Sequence, residues 1–368
     1  MKNLQNKFYK TYKDIYHHRY QFDKNEKKDA LFLIKKNLQE SKIKEREFKK
    51  LKVLNVGTGR ESYAFLELKV NNCQLVDLSP KTKIKASYFK KIYKNFNYQI
   101  KDFCSSKLKL NEFNFLYLNG VFHHFHSPEK SLKNINKFSK INSKYFFRIY
   151  RSGSIKFYIV DFIRKFINIK DQKKFQKIFK TKFNIKQLTV DLSHESPIIH
   201  FHEMCVDNFF VPNLFLFDLK NFIKTFNNLG LSVIYNDKFK DYDHSVNKKD
   251  NTGISICFEK TKEVKFLDKK KLKVSNQIHD INYKEDYIKK TNKIFIKYLK
   301  KIKMLSDEKR INLAIDLLFI CQSYRIFKFY NKKSNLKKTG DLFSLSSKYS
   351  SPRKIHLALQ KRINLDFL

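Results

Sequence analysis

Short apolar runs alternate with longer amphipathic stretches through the middle of the chain. The runs are rich in Val, Ile, Leu and Phe, as are strands that are buried on both faces of a sheet. Five of them are predicted strands, at residues 52–56, 75–78, 98–103, 113–118 and 144–150. Strands that alternate with helices predict an α/β fold with a doubly wound, mostly parallel sheet, and in such folds ligands bind at the carboxyl ends of the strands.

The helix predicted after the second strand has a regular apolar pattern. It runs from about residue 80 to residue 96, and its large apolar residues recur at every fourth position, namely Ile84, Tyr88, Ile92 and Phe96. This spacing places them along one side of the helix, which we take as its apolar face.

The end of the α/β region has a different rhythm. A helix at 218–229 ends at Gly230, and two strands follow at 231–235 and 254–259 with only a polar, unpatterned loop between them. A parallel crossover usually contains a helix, so strands without one between them pair antiparallel. The complete prediction is a seven-stranded sheet with an antiparallel last strand.

Three segments are expected. Residues 1–50 form a helical arm, residues 51–260 form the α/β domain, and residues 261–368 form a Lys-rich helical extension. The strand–helix rhythm breaks at about 151–213, and the part at 191–212 has little periodicity. Long irregular insertions are often functional, so we interpret this one as a lid over the ligand site.

The charge of the chain is strongly positive. It has 78 Lys and Arg against 35 Asp and Glu, a net charge of +43, which by itself would favour a nucleic acid or an anionic surface as a partner. Only ten of the basic residues are Arg, and Lys is accompanied throughout by Asn, Ile, Phe and Tyr. Compositional drift explains that company better than selection for phosphate binding, which uses Arg more often. Nucleic acid therefore stays an alternative partner, and is not favoured.

Cysteine usage and hydropathy favour a cytoplasmic protein without a membrane span. The five cysteines lie far apart without paired spacing, which is typical of reduced thiols. No apolar stretch approaches the roughly 18 to 20 residues that a membrane helix needs.

A glycine turn joins the first strand to the helix that follows it. Gly57, Thr58 and Gly59 come directly after the strand, and Asp77 lies near the end of the second strand, twenty positions after Gly57. Glycine permits a sharp turn and the close approach of a ligand. A carboxylate in this place can accept hydrogen bonds from both hydroxyls of a ribose. The pattern indicates a nucleoside-containing cofactor.

Four motifs carry a resemblance to a known family. They are VLNVGTG at 53–59, VDLSP at 76–80, KDF at 101–103 and FNFLYLNGVFHHFHSPEKSLKNI at 113–135. In this order, and with the final pair of strands, they resemble the class I S-adenosylmethionine-dependent methyltransferases over about residues 51–260. A nicotinamide dehydrogenase is the rival reading, but it would have a third glycine where Arg60, Glu61 and Ser62 stand, and it does not predict the antiparallel last strand.

The resemblance implies S-adenosylmethionine as the cofactor, and it implies a role for each matching residue. Gly57, Thr58 and Gly59 would pass under the methionine and the ribose, and Asn119 would lie near the methionine or the sulfonium. The remaining expected contacts are Asp77 with the ribose diol, Leu78 and Phe103 with the flanks of the adenine, and Asp102 with its amino group. One position departs from the family: Asn55 stands where an Asp or Glu is usual, which leaves a non-catalytic cofactor-binding protein as an alternative.

The acceptor is expected to be a small molecule or a lipid- or sugar-linked compound, with RNA as the alternative. A hydroxyl acceptor would need a general base with a pKa near neutral, which suits histidine. Our candidate is His124, or failing that His202. His200, His202 and Glu203 lack a further placed ligand, so no metal site is predicted.

Overall fold

The computed structural model of the protein describes residues 24–57, 59–80, 82–110, 112–151, 155–186, 188, 197–236, 253–264, 276–277, 286–330 and 352–365. The strands in chain order are β1 Lys52–Val56, β2 Asn72–Asp77, β3 Phe96–Ile100, β4 Phe113–Asn119, β5 Ser139–Tyr150, β6 Phe215–Leu216, β7 Leu231–Asn236, β8 Gly253–Lys260 and β9 Asn276–Gln277. The α-helices are α1 Lys24–Glu40, α2 Arg60–Glu67, α3 Thr82–Ile92, α4 Pro128–Phe138, α5 Ile155–Arg164, α6 Gln172–Phe183, α7 Pro197–Phe209, α8 Leu219–Asn228, α9 Asp286–Met304, α10 Asp307–Tyr330 and α11 Pro352–Leu365. Short 3₁₀ helices lie at Glu45–Lys50, Phe122–His124 and Ile169–Asp171.

A seven-stranded sheet confirms the predicted fold class. Its order is β3-β2-β1-β4-β5-β8-β7, and the neighbours among the first five strands pair parallel. Strand β8 pairs antiparallel with both β5 and β7. Because β8 alone runs against the other six strands, the antiparallel pairing expected for the last two strands is confirmed.

The sheet is covered on both faces, as its apolar strands require. On one face, the cluster of buried side chains includes Ile34 and Leu38 of α1, Phe65 of α2 and Phe89 of α3. On the other face, side chains of α4 and α8 pack on the sheet around an aromatic core. Its rings are Phe122, Phe147 of β5, Phe222 and Phe226 of α8, and Phe258 of β8. The helix predicted at the amino end of the chain therefore packs directly on the sheet.

The prediction of the apolar face of α3 was wrong. Ile84, Tyr88 and Ile92 are 79%, 61% and 51% exposed, whereas Ala86 and Phe89 are the side chains that α3 buries. Phe96 lies beyond the helix as the first residue of β3 and is fully buried. In the sequence, the large residues at fourfold spacing are the stronger apolar signal. The smaller Ala86 gives a weaker signal, although it lies on the side that contacts the sheet.

Contact clustering divides the chain into two compact units. The first comprises residues 1–150, 212–238 and 253–277, and contains the sheet; the second comprises residues 151–211, 239–252 and 278–368. The described helices of the insertion and of the carboxyl-terminal segment thus belong to one unit. Within it, α10 contacts α5, α6, α7 and α11.

The second unit is more regular than its sequence indicated. The segment with little periodicity contains the helix α7, and its aromatic side chains explain why no simple period is visible: Phe201, Phe209 and Phe210 contact rings on several sides of the helix. Asp171 and Asp316 form ion pairs with Arg310 and Arg362, respectively. In the part of the chain that the structure describes, no helix has the length and apolar character needed to cross a bilayer.

Candidate functional site

The turn after β1 is built on two glycines with left-handed backbone. Gly57 has φ +136° and Gly59 has φ +80°, and Gly59 is the N-cap of α2. A Cβ on Gly57 would lie 2.9 Å from Val121 Cγ1, and one on Gly59 would lie 2.8 Å from Leu75 Cδ2. Both positions therefore need glycine for conformation and for space. Thr58 lies outside the described residues.

Asp77 is the last residue of β2, and both of its carboxylate oxygens accept hydrogen bonds. The backbone N–H of Ser79 donates to Oδ1 at 2.9 Å, and the hydroxyl of Thr82 donates to Oδ2 at 2.6 Å. Burial raises the pKa of Asp77 to about 7, although these hydrogen bonds act in the opposite direction. A carboxylate oxygen can accept more than one hydrogen bond, so Asp77 can bind further hydroxyl groups.

Asp102 and Phe103 lie just beyond β3, because this strand ends at Ile100, three residues earlier than predicted. The Cys104 N–H donates to Asp102 Oδ1 at 2.8 Å, and Asp102 Oδ2 lies 3.5 Å from His126 Nδ1. Phe103 is buried, with its ring centroid 5.7 Å from that of Phe125. Leu78, by contrast, is only half-buried.

One atom from each of Asp102, Cys104 and His126 lies within 4.8 Å of the other two, which brings three potential metal ligands together. Burial raises the pKa of the Cys104 thiol well above its usual value. The sequence predicts a cofactor contact for Asp102, and we propose no metal for this cluster.

Asn119, the last residue of β4, has an acidic partner that the sequence did not predict. Its Nδ2 donates to Glu61 Oε1 at 3.2 Å. Glu61 lies in the first turn of α2. The sequence signal was a carboxylate two residues after the glycine turn, but only the fold shows that it meets the end of β4.

Asn55 has a structural contact of its own. Its side chain is 1% exposed, and its Nδ2 donates to Ser62 Oγ at 2.9 Å. This hydrogen bond joins β1 to α2 directly beneath the glycine turn. Asn55 therefore anchors the turn without a charge.

The two histidines after β4 have different surroundings. The ring of His123 stacks on Tyr150 with centroids 3.8 Å apart, and His124 Nδ1 lies 3.2 Å from the carbonyl oxygen of Asn213. A carbonyl oxygen can only accept, so this contact requires the proton on Nδ1 and leaves the lone pair of the neutral ring on Nε2. In that tautomer, Nε2 is the ring nitrogen of His124 that can act as a base.

His202 lies in the second unit, on α7. Its ring is 6% exposed and has centroids 5.5 Å from Phe175 and 5.0 Å from Phe179. These contacts describe a side chain packed among aromatic rings. We therefore rank it well below His124 as a candidate base.

Sheet order brings the sequence-predicted residues of the first unit together. Strands β3, β2, β1 and β4 are consecutive neighbours, and the carboxyl ends of parallel strands meet at one edge of a sheet. Asp102, Asp77, the glycine turn and Asn119 follow or end these four strands, in that order. The arrangement is that of a nucleotide-cofactor site in a doubly wound sheet.

The fold and a family model that matches part of the chain support a class I S-adenosylmethionine-dependent methyltransferase domain. Residues 54–147 match the family model described as "Methyltransferase domain". This segment begins in β1 and ends in β5, so it spans the strand ends described above. The chain thus contains a methyltransferase domain, and the cofactor of that domain is S-adenosylmethionine, which confirms the predicted family and cofactor.

Several solved methyltransferases are similar to this chain at low identity. The 1,6-didemethyltoxoflavin-N1-methyltransferase of Burkholderia thailandensis has 12% identity over 65% of this chain and 80% of its own, with a TM-score of 0.36. The N-methyltransferase NodS of Bradyrhizobium japonicum has 10% identity over 68% of this chain and 99% of its own, with a TM-score of 0.35. PKMT2 of Rickettsia typhi has 12% identity over 61% of this chain and 52% of its own, with a TM-score of 0.41. We base no assignment on these likenesses.

Among curated proteins, none matches the sequence.

Proposed function

We propose that the protein transfers a methyl group from S-adenosylmethionine to a small-molecule, lipid-linked or sugar-linked acceptor, and that the insertion after β5 selects this acceptor. The supporting observation is where the insertion is attached. The first unit ends its first segment at Tyr150 and resumes at Pro212, and the Phe217 N–H donates to the Tyr150 carbonyl at 2.9 Å. Both attachment points thus lie at the carboxyl end of β5.

The histidine pair lies at the same attachment point. His123 stacks on Tyr150, and His124 contacts the carbonyl of Asn213. The chain therefore leaves the first unit and returns to it beside the candidate base. This proximity is the reason we assign acceptor selection to the insertion. Its role as a lid stays a prediction.

The cofactor roles follow the strand ends. We assign Gly57, Thr58 and Gly59 to the underside of the methionine and ribose, and Asp77 to the ribose diol. The turn fits this role because the glycines keep Cβ atoms out of it, and Asp77 fits because a carboxylate can accept from two hydroxyls.

The adenine and the sulfonium have their own residues. We assign Asp102 to the adenine amino group, Leu78 and Phe103 to the flanks of the ring, and Asn119 to the neighbourhood of the sulfonium. Asp102 fits because a carboxylate oxygen that contacts His126 can still accept a further hydrogen bond.

Glu61 supplies the carboxylate that Asn55 lacks. The methionine part of the cofactor carries an ammonium and a sulfonium, and an acidic side chain close by favours both cations. Glu61 reaches the end of β4 through its contact with Asn119, whereas Asn55 is buried and hydrogen-bonded to Ser62. We therefore assign Glu61, rather than position 55, to the cofactor's ammonium group.

Methyl transfer from a sulfonium is an in-line displacement, so alignment of the reacting atoms does much of the work. A hydroxyl acceptor also loses a proton, and His124 Nε2 is the group that we assign to take it. His202 is the second choice. All five cysteines are buried and none forms a disulfide, in keeping with the cytoplasm as the proposed compartment.

Calorimetry with S-adenosylmethionine and S-adenosylhomocysteine tests the cofactor site. We expect both to bind, and Asp77→Asn to weaken both. If neither ligand binds, the catalytic reading is wrong and a non-catalytic protein takes its place.

Labelled S-adenosylmethionine tests the acceptor class. Methyl label from the cofactor is supplied to the full chain with cell extract, and the products are separated into small-molecule, lipid and RNA fractions. We expect label in one of the first two fractions, and we expect His124→Gln to lower incorporation without weakening cofactor binding. Label in RNA alone would contradict the proposed acceptor class.

A further inference from the structure

Helix α3 has apolar side chains on two sides. Ala86 and Phe89 face the sheet and are 1% and 5% exposed. Ile84, Tyr88 and Ile92 are 79%, 61% and 51% exposed. We call these three residues the outer stripe; their spacing of four places them one turn apart along about 12 Å of the helix.

Such a stripe is unusual on a helix that already buries one side. A surface helix typically has one apolar face, toward the core, and charged residues opposite it. Isolated exposed apolar residues are common, but contiguous ones rimmed by polar residues mark an interaction site. The outer stripe is contiguous over about two turns, so we expect a partner with an apolar component.

The charged residues of α3 and of the short segments on either side of it are all basic, and an acid close by is Glu67 of α2, which accepts a hydrogen bond from Tyr93. Between residues 78 and 101 the sequence contains seven lysines and no Asp or Glu. Lys83, Lys90 and Lys91 of α3 are exposed, and so is Lys94 just after it. The partner must therefore be anionic as well as apolar.

Helix α1, in the same layer as α3, repeats this combination. It packs on the same face of the sheet as α3, through the same buried cluster. Its Phe32 is 71% exposed, and Leu31, Phe32 and Tyr63 line a shallow cleft together with Lys27, Lys28 and Lys35. Two helices of one layer thus present exposed apolar groups among lysines.

We propose that the outer surface of α1 and α3 binds the surface of an anionic lipid bilayer. A bilayer interface takes apolar and aromatic side chains into the boundary of its acyl chains, while lysines extend to the phosphates. A second copy of this chain would bring the same lysines face to face, and like charges repel. A nucleic acid would satisfy the lysines but leave the outer stripe in water. The inference does not depend on methyltransferase activity.

Vesicle sedimentation with the full chain tests the proposal. We expect binding to vesicles with about one third phosphatidylglycerol, and at least tenfold weaker binding to pure phosphatidylcholine. The triple variant Ile84→Ser, Tyr88→Ser, Ile92→Ser should bind anionic vesicles at least tenfold more weakly than the wild type. Exposed Ile296 and Met304 of the other unit provide the matched control, since Ile296→Ser with Met304→Ser should leave binding unchanged. Equal binding by the triple variant and the wild type would overturn the proposal.

A fluorescence measurement covers the case in which the triple variant fails to fold. The chain contains no Trp, so Tyr88→Trp introduces a single reporter in the outer stripe. We expect a blue shift with anionic vesicles and quenching by brominated acyl chains. No shift with vesicles, or a shift only with RNA or an acidic protein, would overturn the proposal in favour of another partner.

Discussion

We expect the carboxyl group of Asp77, which we propose binds the ribose diol, to make cofactor binding depend on pH. Burial raises its pKa to about 7 in the folded chain, against the usual 3.8. The carboxylate is the better acceptor for two hydroxyls, so a nucleoside with a ribose diol should bind better as the pH rises through 7.

We predict that the affinity for 5′-methylthioadenosine rises about tenfold from pH 6 to pH 8, since ionisation of a group with this pKa is nearly complete over that range. This ligand carries no amino-acid amine that titrates in the same range. Fluorescence or calorimetric titration measures the effect, and Asp77→Asn should abolish the dependence. If Asp77→Asn leaves the pH profile unchanged, the pH dependence arises from another group.

The same pKa shift has the opposite sign for stability. The folded state holds the proton of Asp77 more tightly than the unfolded state, so this group favours folding most below pH 4. That contribution is lost as the pH rises from about 4 to about 7. Thus the ionised form of Asp77, which we propose binds the ribose diol, is the form that stabilises the fold less.

Glu61→Gln tests the assignment of Glu61 to the cofactor's ammonium group. We predict that the variant binds S-adenosylhomocysteine about tenfold more weakly, equivalent to about 1.4 kcal/mol, because the ligand's ammonium loses a nearby charge. Binding of 5′-methylthioadenosine, which lacks the amino-acid part, should not change.

Calorimetry with the two ligands separates a charge effect from a general one. Equal weakening of both would mean that Glu61 acts by holding the fold. Asn55→Asp in the Glu61→Gln background provides a further comparison, because an acid restored beside the glycine turn should recover part of the lost affinity.

At the scale of elements, the turn after β4 is held by the aromatic core behind it. Phe122 is fully buried, and its ring lies 5.4 to 5.8 Å from those of Phe147, Phe217 and Phe222. The histidines that follow it depend on this anchor, because their contacts with Tyr150 and Asn213 lie at the other end of the same turn.

Phe122→Ala should destabilise the protein by about 3 to 5 kcal/mol, since it removes a large ring from a closed core. Urea unfolding followed by circular dichroism measures the change. The exposed Phe32 is the matched control, and Phe32→Ala should change stability by no more than about 0.5 kcal/mol. A loss below 1 kcal/mol for Phe122→Ala would show that the core closes around the gap.

Helix α3 shows what a sequence pattern leaves undecided. The large residues at fourfold spacing and the pair of Ala86 and Phe89 are both consistent with helical periodicity, and from the sequence alone the larger residues were chosen as the buried face. The structure buries Ala86 instead, because its small side chain lets the helix lie closer to the sheet. The residues predicted to form the buried face of α3 are therefore the ones that form its outer stripe.

At the scale of the whole molecule, the net charge of +43 favours the binding of polyanions, whatever the methyl acceptor is. Lysines on a chain of this charge attract any polyanion, and such binding weakens steeply with salt. Affinity for RNA by itself would therefore say little about the acceptor.

We predict that RNA binds at low salt, that its affinity falls at least a hundredfold between 50 and 200 mM salt, and that it does not raise the rate of methyl transfer to the acceptor. Filter binding and a turnover assay at both salt concentrations measure the two effects. A rate that rises with RNA would favour the RNA acceptor instead.

The sequence by itself determined the fold class, the family and the cofactor. Strand–helix alternation, the glycine turn and the acid at the end of β2 are local features, and local spacing is enough to specify them. The missing helix between the last two strands likewise determined their antiparallel pairing.

Only the tertiary structure decided which distant residues meet. It brought Glu61 to Asn119, His126 to Asp102 and Asn213 to His124, pairs whose members lie on different elements, where no period or spacing relates them. It also decided which side of α3 faces the sheet, because that choice depends on the shape of the surface that the helix covers.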